Sequence, residues 1–197
     1  MNVLIIIGHP NENSFNHAIA NTCKTHIKNN GHQVFYHDLY KEQFNPVGVF
    51  NNLDLALKHK KVVDEFAFEL KNSDGIIIIH PNWWGQPPAI IKGWLDQVML
   101  PDIAYRFEVH GNSGYTSIGL LKDKIAMVFN TSNTSEELEN EVYKDPLETI
   151  WKNRVFGFCG VKLFERRNFK VIKDSSLQER TNWLLEVSLL AEQYFPR

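Results

Sequence analysis

The chain has 197 residues, of which 43% are hydrophobic, and its 21 basic and 23 acidic side chains give a formal net charge of −2 at pH 7. This length suits one domain with a sizeable core, which we expect to span residues 1–197. The balanced charge argues against nucleic acid as the main partner, since phosphate binding requires a basic face, and it differs from the strong acidity of electron carriers that dock on basic proteins.

The first predicted elements are a strand, a helix and a second strand. Val3 to Ile7 is an uninterrupted apolar run, which is typical of a strand buried on both faces. Apolar residues at helical spacing follow Ser14, a good N-cap residue, and stop before Gly31, where a glycine favours the end of a helix. The alternating stretch from Gln33 to Leu39 predicts the second strand.

The middle of the chain is organised around four consecutive isoleucines, Ile76 to Ile79, which predict a third buried strand. Before this strand, residues 40–61 predict a long loop with one helical turn, and a helix through Phe66 follows the loop. After the strand, Pro87 and Pro88 suit the first turn of another helix, because N–H groups there lack intrahelical partners.

The second half continues the alternation of strands and helices. Residues 110–117 are rich in Gly, Ser and Asn and predict a loop. Buried strands are predicted from Ile125 to Phe129 and from Val161 to Phe164, with a helix between them. Ser176 begins the last helix, since Glu179 completes a capping box.

Five strands alternating with helices predict a three-layer α/β sandwich. We expect a parallel sheet in the flavodoxin-like order 2-1-3-4-5, in which ligands bind beyond the carboxyl ends of strands one and three. Polar or aromatic segments follow strands one, three and four, which are neighbours in this order. The candidate site is therefore the place where these three strands end.

The segment after strand one, from Gly8 to His17, has two readings. The free N–H groups of a helix N-terminus suit a phosphate, and the side chains of His9, Ser14 and Asn16 add donors. The alternative is an ordinary capped helix with a surface histidine. The segment contains neither the dinucleotide-binding fingerprint nor a Walker loop.

The other two segments are also ambiguous when taken singly. Pro81 to Gly85 contains Trp83 and Trp84, which suit a planar heteroaromatic ligand or, alternatively, cap the core. Asn130 to Asn133 is a polar ending to a buried strand and carries little information by itself. The convergence of all three segments is the stronger signal.

Other chemistries and compartments are disfavoured. We find no metal-ligand spacing among the His, Cys, Asp and Glu residues. Cys23 and Cys159 lie in apolar surroundings and favour a reducing compartment. The amino terminus lacks a basic leader, and no stretch approaches the roughly 20 apolar residues of a membrane span. We therefore expect a cytoplasmic protein without membrane insertion.

Several motifs resemble those of the NAD(P)H dehydrogenase (quinone) family, the flavodoxin-like enzymes related to DT-diaphorase and to bacterial NAD(P)H oxidoreductases. The motifs are His9 with Ser14-Phe15-Asn16, Asn45-Pro46, Pro81-x-x-Trp84 with Pro88-Ala89-x-x-Lys92-Gly93-Trp94, Ala104-Tyr105, and Phe158-Cys159-Gly160. The chain departs from these relatives after strand four, where Asn130-Thr131-Ser132-Asn133 replaces their Thr-Thr-Gly-Gly.

The resemblance implies a homodimer with a flavin, FAD or FMN, at each of two sites. The residues that match its cofactor contacts are His9, Ser14, Phe15, Asn16, His17, Pro81, Asn82, Trp83, Trp84, Gly85, Asn130, Thr131, Ser132, Asn133 and Arg180. Arg180 matches an arginine near the adenosine half in FAD-binding relatives. Ala104, Tyr105 and Arg106 match the border of the substrate pocket, and Tyr105 is the candidate catalytic hydrogen-bond partner of the acceptor.

The activity that the resemblance implies is oxidation of NAD(P)H and transfer of two electrons to a quinone-like acceptor. One shared slot for both substrates predicts ping-pong kinetics. Two alternatives remain open, an ancillary flavoprotein subunit that regulates a potassium efflux transporter and a flavodoxin-type electron shuttle.

Overall fold

The computed structural model describes residues 1–48, 51–109 and 114–197 and contains a five-stranded parallel sheet. In chain order, the strands are β1 (Asn2–Ile7), β2 (Gln33–Asp38), β3 (Gly75–Pro81), β4 (Tyr105–Val109), β5 (Tyr115–Gly119), β6 (Ile125–Ser132) and β7 (Leu163–Lys170). The sheet has the order β2-β1-β3-β6-β7, whereas β4 and β5 form a separate antiparallel hairpin. Counted over the parallel strands, this is the predicted 2-1-3-4-5 order, so the flavodoxin-like fold is confirmed.

Helices cover both faces of this sheet. They are α1 (Phe15–Asn29), α2 (Leu53–Asn72), α3 (Ala89–Val98), α4 (Pro146–Glu148) and α5 (Leu177–Tyr194). Two π-helical segments, Leu138–Val142 and Thr149–Gly157, and a 3₁₀ turn, Ile172–Asp174, complete the helical structure. Among the described residues, no helix combines the length and the apolar character needed to cross a membrane.

The strands in the middle of the sheet are buried on both faces, which explains their uninterrupted apolar runs. Along β1, Leu4 and Ile6 pack with α2 and α3, whereas Ile5 and Ile7 pack with α1 and α5. Alternate residues of a strand point to opposite faces, so one strand contributes to both cores. The result is the predicted three-layer sandwich.

Helix caps account for one confirmed boundary and one wrong prediction. Ser14 caps α1 as predicted, with its side chain accepting the N–H of His17. The Asn52 side chain accepts two N–H groups and begins α2 at Leu53, so residues 53–61 are helical where a loop was predicted. Leu53, Leu55 and other side chains of the first turns are exposed, and the apolar stripe that identifies a helix is absent there.

Three other boundaries differ from the prediction. Pro88 is the N-cap of α3, so both prolines precede the helix. The predicted loop at 110–117 contains the start of β5, and its residues 110–113 lie outside the described part of the chain. The last strand is β7, Leu163–Lys170, rather than Val161 to Phe164. As an edge strand it is rich in charged residues, which an apolar pattern does not detect.

Candidate functional site

The ends of β1, β3 and β6 meet at one edge of the sheet. Ile79 of β3 lies opposite Ile7 of β1 and Phe129 of β6, so the loops that follow these strands emerge side by side. Hydrogen bonds then tie the loops together. The Asn82 N–H donates to the Thr131 carbonyl over 2.7 Å. The convergence expected from the sequence is present in the structure.

A cavity of about 480 Å³, here called the strand-end cavity, opens between these loops. Its lining residues are His9, Asn11, Asn13, Ser14, Phe15, Asn16, Pro81, Asn82, Trp83, Thr131, Ser132, Asn133, Thr134, Ile172 and Arg180. All of the predicted cofactor-binding residues are in this set except His17, Trp84, Gly85 and Asn130. Residues from five separate segments therefore enclose a single space.

One end of the strand-end cavity is formed by the start of α1. Ser14 caps this helix, so the N–H groups of Phe15 and Asn16 in the first turn have no intrahelical acceptor and are available to an anion. His9 lies beside them, and its Nδ1 accepts the Asn11 N–H over 3.1 Å. Burial lowers the pKa of His9, against the raising effect of a hydrogen bond that the protonated ring donates from Nδ1 to the Asn11 carbonyl, 3.2 Å away. This end of the cavity therefore offers several N–H donors.

Asn16 contributes a buried polar atom without a partner. The residue is only 2% exposed, and its Nδ2 donates to the Thr131 hydroxyl over 2.8 Å. Its Oδ1 has no hydrogen-bond partner among the described residues. Because a buried acceptor is costly to leave unsatisfied, this atom indicates a ligand that donates a hydrogen bond inside the cavity.

Another part of the wall of the strand-end cavity is formed by Arg180 of α5. Its Nε donates to the Ser175 hydroxyl and its Nη2 to the Ile172 carbonyl, each over 2.8 Å. These bonds fix the guanidinium against the cavity wall. The Asn133 side chain accepts the Lys173 N–H over 2.9 Å.

His17 lies behind the cavity rather than in its lining. It is 6% exposed, its Nε2 lies 2.9 Å from Asp38 Oδ2, and its Nδ1 lies 3.0 Å from Ser14 Oγ. Sequence reasoning assigned His17 a direct contact and did not identify Asp38. No local motif links Asp38 to the site, because it arrives at the end of β2.

A second space of about 500 Å³, here called the side cavity, adjoins the first. It is lined by Asn82, Trp84, Gly85, Thr134, Glu139, Tyr143 and Pro146, and it shares Asn82 and Thr134 with the strand-end cavity. The buried Glu139 carboxylate accepts from Asn82 Nδ2 over 3.2 Å. The Asn82 Oδ1 in turn accepts the Gly85 N–H over 2.9 Å.

The turn from Trp83 to Gln86 supplies Trp84 and Gly85 to the lining of the side cavity. Trp84 and Gly85 both have left-handed backbone conformations, with φ of 58° and 70°. Only glycine adopts such angles without strain, so the conformation of Trp84 is one that tertiary contacts must hold. Trp84 is 100% exposed, which leaves a large aromatic surface uncovered by the described residues.

Asn130 belongs to a buried polar network beneath the two cavities. Its Nδ2 lies 2.8 Å from His80 Nε2, and its Oδ1 accepts from Arg166 Nε over 2.7 Å. Arg166 also forms an ion pair with Asp145, over 2.8 Å. Both ends of the Asn130 amide are thus occupied by protein groups.

The three predicted substrate-pocket residues line neither cavity of this chain. Ala104 is fully buried, and the Tyr105 ring packs against Phe107 and Phe158, with centroids 5.5 and 5.0 Å away. Arg106 is exposed and pairs with Glu108 over 2.9 Å. The structure therefore brings the cofactor residues together without the substrate residues.

Comparisons with known proteins agree with the flavodoxin-like fold. A family profile described as "Flavodoxin-like fold" matches residues 1–182. A Haemophilus influenzae protein named "Uncharacterized NAD(P)H oxidoreductase" is 37% identical over 171 residues, which cover 84% of this chain and 81% of the relative. The FMN-dependent NADH:quinone oxidoreductase of Pelagibacter ubique is 29% identical over 163 residues, covering 78% and 80% of the two chains.

A solved structure is similar over nearly the whole chain. The crystal structure of a Streptococcus mutans protein superposes with a TM-score of 0.81 and 28% sequence identity. The match covers 98% of this chain and 100% of the other.

Proposed function

The chain belongs to the flavodoxin-like fold family, and on that premise we propose that it is a flavin-dependent NAD(P)H oxidoreductase that passes two electrons to a quinone-like acceptor. Two observations support this proposal. The strand-end cavity gathers polar and aromatic groups at the place where this fold binds ligands. The relative at 37% identity is named an NAD(P)H oxidoreductase, and the relative at 29% identity is named an FMN-dependent NADH:quinone oxidoreductase.

The residues of the strand-end cavity fit a flavin. Free N–H groups at the start of α1 suit a phosphate, Trp83 offers a flat aromatic surface, and the unpartnered Asn16 Oδ1 suits a hydroxyl of the sugar-alcohol chain. Among the features of this chain's own residues, the buried acceptor Asn16 Oδ1 is the observation that carries the proposal. When bound, a flavin supplies the hydride and two-electron chemistry that protein side chains lack.

The side cavity is the proposed place for both substrates. It adjoins the cofactor residues through Asn82 and Thr134, and Trp84 and Tyr143 are among its lining residues. One planar slot accommodates nicotinamide or acceptor in turn, so we expect ping-pong kinetics. Parallel double-reciprocal lines in two-substrate assays would support this scheme, whereas intersecting lines would contradict it.

A second copy of the chain is the proposed source of the missing substrate-pocket wall. Tyr105 lies on the β4–β5 hairpin, away from both cavities, and its neighbours Phe107 and Tyr115 are 55% and 77% exposed. A homodimer that covers this aromatic surface and places it over the partner's side cavity accounts for both facts. Sedimentation that shows a fully active monomer would contradict the dimer.

The flavin proposal is tested by titrating the purified protein with FMN and FAD and following flavin fluorescence. We expect tight binding that Asn16→Asp weakens, because the added negative charge in the cavity repels the negatively charged flavin phosphate. Asn21→Asp is the matched control, since Asn21 is an exposed residue of the same helix. Affinity weaker than about millimolar for both flavins would overturn the proposal, because specific cofactor binding requires far more free energy than that. A preference for FAD would assign the adenosine half to Arg180.

A further inference from the structure

Three side chains form a hydrogen-bonded chain from the protein interior to the strand-end cavity. Asp38 Oδ2 lies 2.9 Å from His17 Nε2, and His17 Nδ1 lies 3.0 Å from Ser14 Oγ. Asp38 and His17 are each 6% exposed, and Ser14 lines the cavity. The direction of the hydrogen atoms along this chain decides what Ser14 presents to a ligand.

Asp38 fixes the tautomer of neutral His17. A carboxylate only accepts hydrogen bonds, so the hydrogen of a neutral ring lies on Nε2 and points at Asp38. Nδ1 is then bare and accepts the Ser14 hydroxyl hydrogen. In this state Ser14 turns a lone pair towards the cavity, which repels a phosphate oxygen.

Protonation of His17 reverses the direction at Ser14. With hydrogens on both ring nitrogens, Nδ1 donates to Ser14 Oγ and Nε2 remains paired with Asp38. The Ser14 hydroxyl hydrogen is released and can donate to an anion in the cavity. A hydrogen bond to a charged acceptor is among the strong ones in proteins.

We propose that His17 and Asp38 are positioning residues that couple recognition of the cofactor phosphate to the protonation of His17, by switching the Ser14 hydroxyl between acceptor and donor. This inference rests on the proposed function, since it places the flavin phosphate at the start of α1. The titratable neighbours that the described residues supply are His9, with its ring centroid 6.3 Å from that of His17, and Tyr36 and Lys41 on the β2 side of Asp38.

The critical variant is Asp38→Asn. Asp38 Oδ1 accepts the Lys41 N–H over 3.2 Å, so the amide oxygen of the variant takes that position and its NH₂ faces His17 Nε2. The amide then donates to Nε2 and moves the ring hydrogen to Nδ1. The Ser14 hydroxyl is free to donate at every pH, without protonation of His17.

The test measures the affinities of FMN and riboflavin, which differ only by the phosphate, between about pH 5.5 and about pH 8.5. The His9→Gln background removes the other histidine of the cavity. In that background, we expect the preference for FMN over riboflavin to fall by about tenfold as pH rises, the size of one charge-assisted hydrogen bond. With Asp38→Asn added, the preference should be independent of pH apart from the titration of FMN itself, which is common to both proteins.

Two further measurements separate a failed inference from a failed function. Ser14→Ala, which removes the hydroxyl, should also abolish the pH dependence of the preference for FMN over riboflavin. If Asp38→Asn does not fold, Ser14→Ala serves as the test variant in its place. Imidazole ¹⁵N chemical shifts of His17 in the flavin-free protein should show the Nε2–H tautomer, and the Nδ1–H tautomer in Asp38→Asn. Equal pH profiles with and without Asp38→Asn, or an unchanged tautomer, would overturn the coupling. Absence of FMN binding by the unaltered protein would overturn the proposed function, while the tautomer result would still decide the inference about Asp38.

Discussion

His80 makes the stability of the protein dependent on pH in a defined window. It is fully buried at the end of β3, and its Nε2 accepts the Trp151 indole N–H over 2.9 Å. Burial lowers the pKa of His80 from 6.5 to about 4, although a hydrogen bond to the Pro81 carbonyl opposes this. The folded protein therefore keeps His80 neutral at pH values where the unfolded chain binds a proton.

The sign and size of the effect follow from this difference in pKa. Between pH 6.5 and about 4, the unfolded state binds more protons at this position than the folded state, so stability falls as pH falls. Lowering the pH from about 7 to about 5 should cost about 2 kcal/mol of unfolding free energy through His80 alone. Below the folded pKa, the loss is complete.

Urea denaturation of the wild type and of His80→Gln at these two pH values isolates the effect. Other groups titrate equally in both proteins, so the useful quantity is the difference between their unfolding free energies. We expect His80→Gln to be destabilising at neutral pH, because a flexible amide replaces a ring that meets the Trp151 N–H and the Pro81 carbonyl in fixed geometry. The difference should shrink by about 2 kcal/mol in acid. A difference that stays constant between the two pH values would refute the reasoning.

Three further predictions test other parts of the structure. Burial lowers the pKa of His37, but hydrogen bonds and charges from two glutamates raise it overall. His37→Gln should therefore destabilise the protein more at about pH 6 than at about pH 8. Equal losses of unfolding free energy at the two pH values, measured by urea denaturation, would contradict this. A Cβ at Gly85 would lie 2.8 Å from the Pro146 ring, whereas a Cβ at Gly31, where φ is also positive, would have no described atom within 4 Å. Gly85→Ala should therefore cost about 1 kcal/mol more unfolding free energy than Gly31→Ala. Similar thermal unfolding of the two variants would contradict this. Tyr105→Phe should raise the activation free energy of the acceptor half-reaction by about 1–2 kcal/mol in stopped-flow assays and leave flavin affinity unchanged. Wild-type rates would show that the hydroxyl has no role in this half-reaction.

The sheet and the strand-end cavity were predictable because their signals are local. The apolar runs of β1, β3 and β6 identify strands buried on two faces, and the sheet order then places their ends together. Ser14 is likewise recognisable as a cap from its neighbours alone. The site could be located because the three loops that follow these strands meet at one edge of the sheet.

The side cavity was not predictable, because its residues meet through tertiary contacts. Glu139 lies on a π-helical turn, whose period differs from that of an α-helix, and it reaches Asn82 from 57 positions away in the chain. The place of His17 behind the strand-end cavity was not predictable for a related reason, since its partner Asp38 comes from the end of β2. The dipeptide Asp145-Pro146 predicts a turn, and Pro146 lines the side cavity, but the sequence does not indicate which residues the turn contacts.

The two cavities share Asn82 and Thr134, and the turn that follows β3 contributes to both of them. Glu139, Tyr143 and Pro146 line the side cavity and not the strand-end cavity, whereas the loop from His9 to Asn16 lines the strand-end cavity and not the side cavity. Substitutions at sites without common partners have nearly additive effects. A directed-evolution library confined to Tyr143 and Pro146 would therefore reshape the side cavity while the strand-end cavity keeps its contacts, whereas a library that included Glu139 would also disturb Asn82, which lines both cavities.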